Sequence, residues 1–159
     1  MTEATKPSPQ VPRWIVRSIW IGHRAAFRFT GGRFGLRTAD DTRWGMLRLR
    51  STGRRSGRER VAILGFIEDG PNVVVPAMNG WADPEPAWWL NLQAQPDTTV
   101  ELKDGLRAVR GRAATGEERD RLWARWGEFS PDYDARAAMR SGKTAIVVLE
   151  PRTGAGVTT

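Results

Sequence analysis

The sequence predicts a mainly β, α+β fold: an antiparallel sheet or small barrel with accompanying helices. Three observations predict it. Short apolar segments recur beyond residue 43, and the first ends in strict alternation, Leu47 and Leu49 against Arg48 and Arg50. Neighbouring segments are joined mainly by tight-turn signals such as Asp69-Gly70-Pro71-Asn72 and Asp104-Gly105, which return the chain beside itself. The element order is helix, three strands, short helix, two strands, helix, strand, which does not suit a doubly wound parallel sheet.

The first element is a helix over 12–30. Pro12 suits its first turn, where the missing N–H costs nothing, and Thr30-Gly31-Gly32 stops it. Arg13, Arg17, Arg24 and Arg28 form one basic stripe, with Ile15, Ile19, Ala26 and Phe29 roughly opposite. This reads as a helix packed on its own domain with a solvated arginine edge. The same pattern also suits peripheral contact with an anionic membrane. Residues 1–11 are polar and lack the apolar core of a signal peptide, so they read as a flexible tail, as do residues 152–159.

After a Gly/Arg linker, strands are expected over 44–50, 60–68 and 73–78, with Pro76 hinting at an edge or bulge. A short helix covers 86–95 and stops before Pro96. Strands over 98–102 and 106–113 make a hairpin around Asp104-Gly105. Thr115 and Glu118 form a capping box opening a helix that carries Leu122, Trp123 and Trp126. Residues 131–139 add a helical turn or two, and 144–149 the last strand. The main domain spans 43–151.

Composition narrows the function. The chain has 159 residues, 40% hydrophobic and 27% charged, which is a globular balance. No apolar run approaches the ~20 residues that span a membrane. With no cysteine, disulfides, thiol nucleophiles and cysteine metal sites are excluded. This fits a cytoplasmic protein. His23 is the only histidine, so a zinc site or a Ser-His-Asp triad lacks its ligands or its base, and no metal is expected. Chemistry, if present, falls to an organic cofactor. The net charge of +7 points to anionic partners.

The charge is most concentrated in Leu49-Arg-Ser-Thr-Gly-Arg-Arg-Ser-Gly-Arg-Glu-Arg-Val61. Glycines between arginines are not needed by a solvated charge cluster. They suit a loop whose N–H groups converge on a phosphate, with arginine adding forked donors. It is not a Walker loop, since the terminal GK[ST] and a following helix are missing. It is weak as a nucleic-acid motif, because the aromatic strand surface of an RRM or OB domain is absent. Farther on, Val73-Val-Val-Pro-Ala-Met-Asn-Gly-Trp81 brings a strand into a small-residue loop, and Pro86-Ala-Trp-Trp-Leu-Asn-Leu92 follows. Small residues permit close approach of a flat ligand. Trp88 and Asn91, three apart, share a helix face; the tryptophans equally suit a core.

These segments, with the closing Ile146-Val-Val-Leu-Glu-Pro151, resemble the deazaflavin-dependent nitroreductase family, also called F420H2-dependent quinone reductases. The likeness covers roughly residues 43–151. It implies a split β-barrel related to FMN-binding pyridoxamine-phosphate oxidases, often dimeric, and an oxidoreductase that passes a hydride from reduced coenzyme F420 to a quinone-like, nitroaromatic or other electrophilic apolar acceptor. By this resemblance Arg54, Arg55, Ser56, Gly57 and Arg60 hold the cofactor's phosphate and oligoglutamate tail. Ala62 and Ile63 also count among the cofactor-binding residues, while Ala77, Met78, Asn79 and Gly80 lie beside the deazaflavin ring, with Trp88 and Asn91 lining the site. Tyr133, the only tyrosine, falls where relatives carry substrate-facing tyrosines, and is the candidate to donate a hydrogen bond or proton.

The sequence departs from the family at several points. Val61-Ala62-Ile63 replaces Val-Thr-Pro, and Ala77-Met78-Asn79-Gly80 replaces Ser-Lys-Gly-Gly. Alternatives are the same fold binding FMN, haem or a fatty acid, and a non-enzymatic basic binder of nucleic acid or anionic membrane.

Overall fold

Alternation along the strands divides the apolar residues into two layers, one inside a barrel and one outside it. The structure, a computed structural model, describes residues 35–79 and 84–153. The strands are β1 (Gly45–Thr52), β2 (Glu59–Asp69), β3 (Asn72–Pro76), β4 (Asp97–Leu102), β5 (Gly105–Ala113) and β6 (Ile146–Pro151). They close in the order β1-β2-β3-β6-β5-β4. All ladders are antiparallel, and β4 returns to β1 with Val100 opposite Leu49. The helices are α1 (Ala87–Ala94), α2 (Gly116–Phe129) and α3 (Tyr133–Ala137).

Along β1, Gly45, Leu47, Leu49 and Ser51 are buried and the residues between them are not. Directly opposed residues of a ladder share a face, so register carries the pattern across to β2. Leu64 faces Leu47, Ala62 faces Leu49, and Arg60 faces Ser51 at the barrel's end. The interior is filled by Leu47, Leu49, Phe66, Val73, Val75, Val100, Val109, Val147 and Leu149. Helix α1 adds Trp88, Trp89 and Leu92 to the same core. Two glycines make room. A Cβ on Gly111 would lie 2.9 Å from Leu92 Cδ1, so α1 seats directly against β5. A Cβ on Gly45 would lie 2.5 Å from the Phe66 ring and 2.7 Å from Ala39 N.

The outer layer begins with Ile67, Val74, Ile146 and Val148, covered by Leu122 and Trp126 of α2 and Tyr133 of α3. Full burial of a side chain such as Leu122 contributes about 1.5–3 kcal/mol. Arg121 clamps α2 to the end of β2 through both oxygens of Asp69, at 2.8 and 2.9 Å.

From residue 43 on, the element order matches the sequence reading, with differences of physical origin. Thr115 is the N-cap of α2, but its side chain makes no capping bond. Glu118 is engaged instead by Arg112, at 2.7 and 2.8 Å; a bidentate charged pair outcompetes a neutral capping contact. Pro76 ends β3 opposite Ile146, where the ladder stops, and in a closed barrel marks no free edge. Arg152 belongs to the barrel rather than a tail, since its N–H donates to Ala108 O at 2.9 Å. The helix expected over 12–30 and the tail over 1–11 lie outside the described residues.

Candidate functional site

The β1–β2 hairpin carries the Gly/Arg loop, residues 53–58. Gly57 adopts a φ of 66°, which glycine tolerates without strain. Gly53 is close-packed: a Cβ there would meet Ser56 Oγ at 2.7 Å and Arg58 O at 3.2 Å. The loop bonds to itself. Gly53 N–H donates to Arg58 O at 2.8 Å, Gly57 N–H and Ser56 N–H donate to Gly53 O at 2.8 and 3.2 Å, and Arg58 N–H donates to Ser56 Oγ at 3.4 Å. This corrects the expectation of a backbone phosphate cradle. The glycines serve the turn, and the N–H groups of Gly53, Ser56, Gly57 and Arg58 are already engaged.

Anion-binding capacity therefore rests on side chains. Arg54, Arg55, Arg58 and Arg60 are exposed, and among the described residues their guanidinium groups have no hydrogen-bond or ion-pair partner. Every other described arginine has one. Arg48 pairs with Glu101, Arg110 with Asp97 and Arg112 with Glu118, and even Arg50, next to the loop, reaches Glu59 at 3.2 Å. Uncompensated cations gathered in one loop raise the local positive potential and offer planar forks to phosphate or carboxylate oxygens.

Asn91 ties this loop to α1. It is 4% exposed. Its Oδ1 accepts the Arg54 N–H at 3.0 Å, and its Nδ2 donates to Ser51 Oγ at 3.2 Å. Trp88, three residues earlier, lies in the barrel core, and its buried indole N–H has no partner among the described residues. The helix thus sends one side chain inward and one to the hairpin.

The remaining cofactor candidates divide between layers. Ala62 faces inward opposite Leu49, whereas Ile63 stands opposite Arg48 on the outer face. Ala77 is buried in the interior cluster; its N–H donates to Ala145 O at 2.8 Å and its carbonyl accepts from Arg140 Nη1 at 2.9 Å. Met78 turns the other way and packs on the outer layer. Asn79 is exposed, and Gly80 lies outside the described residues.

Tyr133 is 2% exposed and packs against Trp123 and Trp126. Burial pushes its hydroxyl well above the ordinary tyrosine range. The side chain packs between the two tryptophans of α2.

Arg58, Ser51 and Arg140 escaped the sequence reading. Arg58 sat in the quoted run and differs in nothing from its neighbours. Ser51 was the next inward residue of the β1 alternation after Leu49. No sequence signal tied Arg140 to Ala77, 63 positions away.

Comparison with known proteins bears on what this loop and barrel serve. A family model described as F420H(2)-dependent quinone reductase matches residues 22–151. A Mycobacterium tuberculosis (strain ATCC 25618 / H37Rv) protein, named provisionally as an F420H(2)-dependent quinone reductase, is 34% identical over 106 residues, covering 67% of this chain and 89% of its own. An F420H(2)-dependent quinone reductase of the same strain is 28% identical over 148 residues, covering 89% of this chain and 98% of its own. The solved structure of an F420-H2 dependent reductase, FDR-A, shares the fold, with a TM-score of 0.60 at 24% identity over 66% of this chain and 93% of that one. The match runs through the arginine hairpin, the barrel that carries it and the helix that anchors it, and the chain belongs to the F420H(2)-dependent quinone reductase family.

Proposed function

We propose that this F420H2-dependent oxidoreductase grips the cofactor's phosphate and acidic tail with the guanidinium groups of Arg54, Arg55, Arg58 and Arg60. The observation that carries this is their lack of partners among the described residues, where every other arginine is paired. The donor set fits: an anion carrying a phosphate and several carboxylates needs several forked cations, and exposed cations need not be stripped of existing partners to meet it. Bound there, the reduced deazaflavin supplies a hydride to a quinone-like or other electrophilic acceptor.

The chain's own contribution is binding, orientation and exclusion of water. Ala62 and Ala77 present small side chains on the inward-facing side of the barrel, and Trp88 Nε1 is a buried donor without a partner among the described residues. Ser56 and Gly57 act through the turn. Nothing in this reading asks Tyr133 to move a proton. The same reading places the barrel with the FMN-binding split barrels, and FMN, with its single phosphate, is the second ligand the arginine loop suits. A homodimer, and peripheral membrane contact through residues 12–30, remain proposals, checked by sedimentation and liposome flotation.

The test is a fluorescence titration of the purified protein with F420, repeated with FMN, followed by F420H2 oxidation assays with a quinone acceptor. Micromolar or tighter F420 binding and quinone-dependent oxidation are expected. Preference for FMN, or no binding of either, would overturn the assignment.

A further inference from the structure

We infer that Asn91 is a positioning residue for the cofactor's anionic end: its buried amide fixes the backbone from which Arg54 projects. The inference rests on the reading of the arginine loop as the anion clamp. Three observations carry it. The amide bonds both sides of the loop's entry, accepting the Arg54 N–H at 3.0 Å and donating to Ser51 Oγ at 3.2 Å. It is 4% exposed, so water does not compete for those bonds. The remaining loop bonds described above join the loop to itself. The bond from Asn91 to the Arg54 N–H instead joins the first loop cation to a different element.

The need for such a tether follows from charge. Arg54, Arg55, Arg58 and Arg60 carry like charges with no described partner, so before ligand arrives their repulsion favours a splayed loop. Asn91 opposes this with a neutral side chain that adds no charge near the anion, which an aspartate there would. The amide itself touches no ligand in this scheme; it acts through Arg54. Its helix also carries Trp88 into the barrel core, so the clamp and the core share one rigid support.

The discriminating experiment compares two probes on the full chain: F420 with its glutamate tail, and the tail-free, phosphate-free deazaflavin riboside. Wild type, Asn91→Ala, Ser51→Ala, Arg54→Ala and the Asn91→Ala/Arg54→Ala double variant are titrated by fluorescence. Asn91→Ala is expected to weaken F420 about tenfold while leaving riboside affinity unchanged. The double variant should lose less than the product of the single losses, because both changes act on one contact. Ser51→Ala, which removes one anchor only, should show the same selectivity at smaller size, and it carries the test if Asn91→Ala fails to fold. A purely structural role would move both probes together. Equal losses for the two probes, or none, would overturn the inference. Wild type that binds neither probe would overturn the cofactor reading and this inference with it.

Discussion

Trp126 stacks on Tyr133, with ring centroids 6.0 Å apart and planes inclined by 12°. Trp123 closes the other approach to the phenol at 4.6 Å, and its own Nε1 donates to Asp134 Oδ1 at 2.6 Å. The aromatic trio welds α3 to α2 over the outside of the barrel.

Tyr133→Phe should therefore leave quinone-reduction rates within about twofold of wild type, whereas Tyr133→Ala should cost about 3–5 kcal/mol of stability in urea unfolding. A hundredfold loss of turnover in Tyr133→Phe with an intact fold would restore a catalytic role to the hydroxyl.

Arg54→Ala or Arg60→Ala should each weaken F420 binding by about tenfold, the loss growing with the number of glutamates on the tail. Added salt should narrow the gap between wild type and variants, since exposed charges are screened. Equal affinities across wild type and variants would remove these side chains from recognition.

Two glycine substitutions should have opposite signs. Gly45→Ala drives a methyl into the Phe66 ring and the Ala39 backbone, and should destabilise by about 1–3 kcal/mol or more. Gly127, inside α2, has nothing within 4 Å of an added Cβ. Gly127→Ala should stabilise by about 0.5–1 kcal/mol through helix propensity. Denaturant midpoints of both variants check the pair.

The acid limit of stability should involve α2. Hydrogen bonds from Arg121 hold the Asp69 carboxyl below its ordinary range, and those from Arg112 do the same for Glu118. Both groups are thus more acidic folded than unfolded. Their contribution is complete above the ordinary carboxylate range, near pH 4, and is lost as pH falls through the lower folded values. Partial exposure keeps each contribution to about 1 kcal/mol or less. Asp69→Asn should flatten the acid dependence of unfolding monitored by tryptophan fluorescence; an unchanged slope would contradict this.

The alternation of Leu47 and Leu49, the two hairpin turns and the Pro86 helix were enough to read the order of elements along the chain from residue 43 on. Barrel closure was legible only through the family resemblance, because pairing of β1 with β4 joins residues 53 positions apart, such as Arg48 and Glu101, and no local signal encodes it. The arginine loop was visible as a candidate anion site, since charge and glycine are written in composition. The engagement of its backbone was not, since whether an N–H is free depends on its bonds. Spacing puts Asn91 on one helix face with Trp88, but side chains three apart diverge when one enters a barrel and the other meets a hairpin. Tyr133 illustrates the opposite limit: rarity in a sequence carries no information about exposure.

The seat of Leu92 on Gly111 gives α1 an evolutionary consequence. One eight-residue helix both plugs the barrel and anchors the hairpin. A substitution there is screened first for whether the barrel still forms, whatever it would do for the ligand. Adaptation to new electron acceptors is therefore expected to leave α1 almost untouched. Lineages would diversify instead through positions that the core does not claim, such as exposed Asn79.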